Sequence, residues 1–432
     1  MIRRLTARLA AVGPEGLAQR AGWAGIVEVL QLVSSLLVFG ALVKVLSVEA
    51  YGQMTATLSV AMAATSLGGF GAHVLLIKRV SQGMDLQQAW RRATSASIIT
   101  LGLTSVLLIA LQPLVLRNVD RSVVILFVIS QANFFTLTEL AVYVGNGTRR
   151  LKEAAQIRLL VVLCRLGALG WFVLFGGGSL LAWAWASFVS FGIAVVLAFG
   201  YIWRVFGASP GLRFLSFADL REGAPFAANS GSESLVDVSD RPMLSGYGHE
   251  NDAGIYGAAG RIVQFGYLPL RIVMRASDAD LFEAGKHGIR PALRVTRSLV
   301  PPMAALGAAV GVGMALFAPL VPLLAGDDWN EAVDAIRLLG ALPLIRALQY
   351  LMGNALSASD NQWWRVYATL SAAAVNFGLN LWLLPDGTWR TAVFTTMVSE
   401  LYLTAVLALI AVGLSARDAR GAPPPTRQSL SV

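Results

Sequence analysis

GAPFAANSGSESLVDVSDRPMLSGYG, residues 223–248, is long enough to cross a bilayer, yet it carries Glu233, Asp237, Asp240 and Arg241 together with a run of Ser and Asn. At helical spacing Glu233, Asp237 and Asp240/Arg241 fall at i, i+4 and i+7/i+8, so they share one broad face. Each ionised side chain at mid-membrane costs about 3 kcal/mol on an insertion scale, so four turned to lipid would cost about 10 kcal/mol. Such a helix must turn this face toward other protein or toward water enclosed by its neighbours.

The flanking sequence has the character of a membrane protein. Of 432 residues, 56% are hydrophobic and only 14% charged, too few charges to cover a soluble surface of this size. Apolar runs near 20 residues recur along the chain and are continuous rather than alternating, which predicts α-helical spans and excludes a β-barrel. The expected class is an all-α polytopic membrane protein with about twelve transmembrane helices. The spans are predicted at about 22–46, 53–77, 94–116, 123–145, 155–176 and 179–203, then at about 224–247, 253–274, 296–325, 332–357, 364–384 and 391–414. This arrangement predicts a first six-helix lobe at 1–206, a cytoplasmic linker at 207–222, a second six-helix lobe at 223–415 and a disordered cytoplasmic tail at 416–432.

The formal net charge of +9 does not point to nucleic acid, because the basic residues sort into alternate loops. Arg3, Arg4 and Arg8, Lys78 and Arg79, Arg149 and Arg150, Arg204 and Arg221, Lys286 and Arg290, and Arg417 and Arg420 all fall on one side of the predicted spans. The opposite loops hold His249–Asp252, Asp327–Asp328 and Asp386. This asymmetry places both termini in the cytoplasm. The single cysteine, Cys164, gives no disulfide framework. No loop has room for an extramembrane catalytic domain, and neither a phosphate-binding G-x-x-x-x-G-K-[ST] loop nor a G-x-S-x-G nucleophile motif occurs, so an enzyme is not expected. The three histidines are scattered and give no metal site.

Ionisable residues inside spans are the informative ones, because they face an interior path or each other. Arg241, Arg261 and Arg346 are the candidate substrate cations, since a guanidinium forks two hydrogen bonds onto a phosphate. Glu28, Glu233, Asp237 and Asp240 are the candidate carboxylates, balancing the cavity or carrying a coupling proton or sodium ion; no other cofactor is implied. Simple pairing is the competing explanation for Asp237 with Arg241 and for Glu28 with a neighbouring arginine. Pairing is the favoured explanation for Glu139 and Arg165, each standing alone in its span. The glycine sets Gly68-Gly69-Phe70-Gly71 and Gly307-x3-Gly311-x-Gly313 allow close helix contacts. Trp171, Trp183, Trp185, Trp363 and Trp364 fit interfacial belts.

Several of these pieces occur in an order that resembles the polysaccharide-biosynthesis flippases of the multidrug/oligosaccharidyl-lipid/polysaccharide (MOP) superfamily. Leu46-Ser47-Val48-Glu49-Ala50-Tyr51-Gly52 is similar to that family's Leu-Gly-Pro-x-x-Tyr-Gly turn, with Ser47-Val48 in place of Gly-Pro. Gly147-Thr148-Arg149 resembles the basic exit of the fourth helix, and Asp240-Arg241 followed by Ala253-Gly254-Ile255-Tyr256-Gly257 is the strongest match. Leu324-Ala325-Gly326-Asp327-Asp328, Asn376 with Leu379-Asn380, and Leu384-Pro385 add to it. The resemblance implies two lobes around a mostly cationic central cavity, alternating access, and a location in the bacterial cytoplasmic (inner) membrane. It implies as substrate an undecaprenyl-pyrophosphate-linked oligosaccharide for O-antigen, capsule or exopolysaccharide. The implied partners are that substrate, membrane lipids and the polymerase or glycosyltransferases of the same pathway. A multidrug/cation antiporter of the same superfamily and a membrane glycan ligase or polymerase remain as alternatives.

Overall fold

The computed structural model describes residues 14–148, 150–211, 221–224, 227, 231, 234 and 239–419; side chains are described from Leu30 onward, apart from 67, 68, 81, 275, 276, 278, 279 and 419. The expected disordered tail therefore falls almost wholly outside the described residues, as does the middle of the expected linker. Among the described residues every regular element is helical. The chain divides into two compact units, Met1–Gly254 and Ile255–Val432.

The first unit contains α1 (Pro14–Val45), α2 (Val48–Gly68), α3 (Ala72–Ser81), α4 (Leu86–Val115), α5 (Arg121–Gly147), α6 (Leu151–Phe175), α7 (Leu180–Phe206) and α8 (Asp240–Gly246). Helix starts follow side-chain caps. Ser47, Asp85, Asp120 and Ser179 each accept a hydrogen bond from a backbone amide of the following turn, satisfying donors that a helix start leaves open. The core joins α3 to α7 through Leu76, Trp90, Leu140, Val144, Ile157 and Ile202, with Trp90 meeting Phe199 edge-on at 5.2 Å.

Helix α9 (Glu250–Gly285) begins in the first unit and continues into the second. Its 36 residues span about 54 Å at 1.5 Å per residue, longer than the 253–274 expected. The second unit continues with α10 (Ile289–Phe317), α11 (Leu320–Ala325), α12 (Asn330–Leu339), α13 (Leu342–Ala358), α14 (Gln362–Leu383) and α15 (Trp389–Ala419). Its core joins α9, α10, α13, α14 and α15 through Leu281, Ile289, Leu356, Ala368, Ala372 and Leu403.

Eight helical runs among the described residues are long and apolar enough to cross a membrane, and Leu30–Val45 is a shorter apolar run inside α1. Their outer faces are hydrocarbon. Leu103, Val106, Leu174, Phe175, Leu316 and Trp382 are all exposed, and so much apolar surface on a water-soluble protein would drive aggregation. The chain is a multi-pass membrane protein. Trp171, Trp185, Trp363 and Trp364 are exposed as an interfacial belt requires, but Trp183 is buried against Phe172 at 5.3 Å and belongs to the core.

Among the described residues three expected spans are broken. The 53–77 run divides into α2 and α3 because Phe70 and Gly71 take left-handed backbone, φ 41° and 61°. The 332–357 run divides at Gly340–Ala341, where Pro343 opens α13 within its first two positions. The 296–325 run divides into α10 and α11. One feature had no sequence signal: Val128–Phe135 in the middle of α5 is a π-helical turn, and Asn133 within it donates to Ser105 Oγ on α4 at 2.7 Å.

Within each unit the loops gather at two ends, as consecutive spans of alternating direction require. At one end of the first unit, Gln87 exchanges hydrogen bonds with Ser209, Ser95 reaches the Gly211 carbonyl, and Arg150 lies over Phe206. At the other end Asn118 donates to Glu250 at 2.7 Å and Gln53 donates to the Asn118 carbonyl at 3.4 Å. In the second unit Arg290 donates to the Ser415 carbonyl, and Trp389 donates to Glu331 at the opposite end.

Glycine sets the closest helix approaches. A methyl group on Gly52 would overlap the Glu250 carbonyl, and one on Gly254 would overlap that of Val48, so α2 and the first turn of α9 touch backbone to backbone. Gly307 and Gly311 bring α10 onto Leu344 and Gly340 in the same way, whereas Gly313 meets nothing. Gly52→Ala and Gly254→Ala should each lower stability by about 1–3 kcal/mol, the range for overpacking. Gly40→Ala, with nothing within 4 Å, should be neutral or stabilising, because alanine is the better helix former. Thermal melting of the detergent-solubilised variants checks this, and a Gly52→Ala protein melting like Gly40→Ala would contradict it.

Candidate functional site

In the second unit, α13, α15 and α9 bring three of the chain's long polar side chains together. Arg346 on α13 donates through Nε to Glu400 Oε1 on α15 at 2.7 Å and pairs with it through Nη2. Gln349, one turn along α13, donates to the other carboxylate oxygen at 2.7 Å, to the Glu400 carbonyl at 2.8 Å and to Thr404 at 3.1 Å. The Arg346 guanidinium also lies over the ring of Tyr267 on α9 at 5.2 Å. The carboxylate is 2% exposed and the arginine 20%. Burying a charge inside a span is tolerable only with this kind of satisfaction, because one partner left alone would cost about 3–5 kcal/mol. Nearby, the buried hydroxyls of Tyr256 and Thr396 are 2.8 Å apart.

Arg261, also in this unit, is half-buried on α9 and donates to Gln264 at 3.2 Å. Thus Arg261 and Arg346 lie in one unit, while Arg241 lies in the other, half-buried in the first turn of α8 beside the fully buried Asp240. Glu233 and Asp237 lie outside the described residues. Glu28 lies on α1, and its side chain is likewise outside the description.

The stretch 223–248 is anchored at both ends within the first unit. At its start, Glu222 takes Lys78 Nζ at 2.6 Å and Arg79 Nη2 at 2.9 Å, both from the end of α3. Gly223 rests against the Phe70 carbonyl, where any Cβ would overlap. At its end, α8 packs on α2, Gly246 fits against the Val115 carbonyl, and Gly248 adopts φ 90° before the Asn118–Glu250 contact. The basic pair holds the Glu222 carboxyl below the usual glutamate value, chiefly through the hydrogen bonds from Lys78 and Arg79.

A second polar seam joins α1, α5 and α6. Arg158 donates to Glu139 at 3.2 Å and to Gln31 at 2.9 Å, and Arg165, two turns further along α6, approaches Ser35 at 3.5 Å. Glu139 is therefore partnered from the neighbouring helix. Its partner Arg158 lies two turns into α6, which begins at Leu151. Glu400 is legible in the sequence as an ionisable residue of the last span, but nothing there joins position 346 to position 400, and the uncharged Gln349 gives no signal. His73 packs on Tyr143 with ring centroids 4.9 Å apart, the role of a packing residue. Among the described residues no three His, Cys, Asp or Glu side chains gather as a metal ion would need.

Residues 17–273, more than half the chain, match the family of polysaccharide biosynthesis proteins. No curated protein matches the sequence significantly. A multidrug resistance MATE family transporter of the MOP superfamily, solved in an inward-facing conformation, superposes with a TM-score of 0.72 at 14% identity, covering 89% of this chain and 96% of its own. The lipid II flippase MurJ, in an inward closed conformation, gives 0.69 at 11% identity over 90% of this chain and 87% of its own. A MOP superfamily transporter from Pyrococcus furiosus, whose reversed binding-pocket polarity is held to suggest a different function, gives 0.61 at 14% identity over 90% and 94%. At these identities the likeness establishes the fold, which is that of the MOP transporters.

The depressed Glu222 carboxyl fixes the sign of a pH effect. The stability it contributes is complete above the ordinary value of 4.5 and is lost as pH falls through the folded value. Glu222→Gln should therefore melt below wild type at about pH 6, with the gap closing as pH falls below about 4.5. A gap constant over that range would contradict the clamp.

Proposed function

Because the chain belongs to the polysaccharide biosynthesis protein family, we propose that it is a flippase moving lipid-linked oligosaccharide repeat units across the cytoplasmic membrane by alternating access. The carrier lipid on this reading is undecaprenyl pyrophosphate, and the products feed O-antigen, capsule or exopolysaccharide. The observation that carries the proposal is the family match, joined to Arg346 within the candidate span Asp327–Ala358. The Arg346 side chain is 20% exposed, and Arg241 and Arg261 are half-buried. A forked cation of this kind suits a pyrophosphate and repels a cationic drug.

The fold alone does not separate this reading from a multidrug antiporter, since both kinds of transporter share it. The family match favours the lipid-linked anion. The end of the first unit that gathers Lys78, Arg79, Arg91 and Arg150 faces the cytoplasm on this reading, by the rule that cytoplasmic loops are basic. Glycosyltransferases on that side would supply the cargo, and a polymerase on the other would receive it. The protein acts as a carrier, with no bond made or broken, and its intramembrane carboxylates either balance the cavity's charge or carry a coupling proton or sodium ion.

In a deletion strain carrying plasmid-borne variants, Arg241→Ala and Arg261→Ala should each reduce surface glycan at least tenfold while the protein accumulates normally. A charge-assisted hydrogen bond contributes about 1.5–3 kcal/mol, and 1.4 kcal/mol is tenfold. Wild-type export by both variants would remove these arginines from the mechanism.

A further inference from the structure

Arg346 has two candidate anions to hold, one of them built into the protein. Glu400 takes its Nε hydrogen at 2.7 Å, and the carboxylate is itself fixed from behind by Gln349, which bonds Oε2, the Glu400 carbonyl and Thr404. That support comes from groups other than Arg346, so the carboxylate stays in place when the guanidinium turns toward something else. The arginine is the looser member of the pair, 20% exposed against 2%, and the Tyr267 ring offers its guanidinium a face on which to swing. A buried carboxylate beside a cation weakens that cation's attraction for any second anion, and the effect is large where water is scarce.

We infer that Glu400 is an exchangeable counter-anion for Arg346: it neutralises the guanidinium between transport events and weakens its hold on the substrate's phosphate, so that the cargo is released. This rests on the reading of Arg346 as a substrate cation. A carrier gains nothing from a site that binds too tightly to let go, and an internal anion competing for the same guanidinium sets that balance. If the pair merely ties α13 to α15, removing the negative charge leaves ligand affinity unchanged or lower. If Glu400 competes with substrate, removing its charge raises affinity while slowing export.

The test uses purified full-length protein in detergent, titrated with a polyprenyl pyrophosphate bearing no glycan and read by native mass spectrometry. Glu400→Gln keeps the side-chain length, and its oxygen still accepts from Arg346 once the Gln349 amide turns its own oxygen toward the new NH2. It should bind the probe about tenfold more tightly than wild type and, in the deletion strain, export more slowly. Arg346→Ala should bind at least tenfold more weakly. Affinity of Glu400→Gln at or below wild type would overturn the inference. Should Glu400→Gln fail to accumulate, Glu400→Asp keeps the negative charge but draws it back from Arg346 by about one methylene. It should accumulate and bind the probe more tightly than wild type, and affinity at or below wild type would overturn the inference. Failure of wild type to bind the probe at all counts against the lipid-linked cargo itself. Binding by wild type without tightening by Glu400→Gln counts against Glu400 alone.

Discussion

Arg346 and Glu400 meet well inside their spans, and the rest of the second unit is arranged so that they can. Glu400 lies about 16 Å along α15 at 1.5 Å per residue, far from either end of that 31-residue helix. An ion at such depth is stable only if its partner arrives at the right height and angle, which demands a fixed register between α13 and α15. The Gly307 and Gly311 contacts fix α10 on Leu344 and Gly340, and thereby the start of α13. Gln349 then completes the carboxylate's hydrogen bonds. The same constraint governs the first unit, where Arg158 joins Glu139 and Gln31 across three helices.

Backbone contact at glycine is the second organising device. Helices α2 and α9 touch at Gly52 and Gly254, and the stretch that begins at Gly223 starts against the Phe70 carbonyl. Phe70 presents that carbonyl outward because it and Gly71 are left-handed, so the break between α2 and α3 creates the seat for Gly223. The Glu222 clamp to Lys78 and Arg79 then sits immediately beside that seat. A glycine cluster, a helix break and an ion pair thus act on one anchor point.

Much of the fold was legible from the sequence because the bilayer imposes length and composition on each span, and the run of apolar residues records both. Most helices lie where the runs predict. The breaks at Phe70–Gly71 and Gly340 were less legible: each depends on a few backbone angles within a run that remains apolar throughout. The site was legible in part. An ionisable residue within a span announces itself, so Arg261, Arg346, Asp240 and Glu139 were all identifiable. Which of them meet was not, because meeting depends on helix rotation and on partners on other helices, more than fifty positions away for Arg346 and Glu400 and across one loop for Glu139 and Arg158. Gln349 carries no charge and so left no signal, although it bonds the carboxylate as closely as the arginine does.

The central claim is that this fold carries a lipid-linked glycan between leaflets. The most direct measurement is a lipid-linked sugar analysis of a strain lacking the protein, separating inner-leaflet from surface-exposed glycan. Intact repeat units accumulating on a polyprenyl pyrophosphate at the inner leaflet, with none at the surface, is the result predicted. Normal surface glycan accompanied by altered drug sensitivity would contradict it.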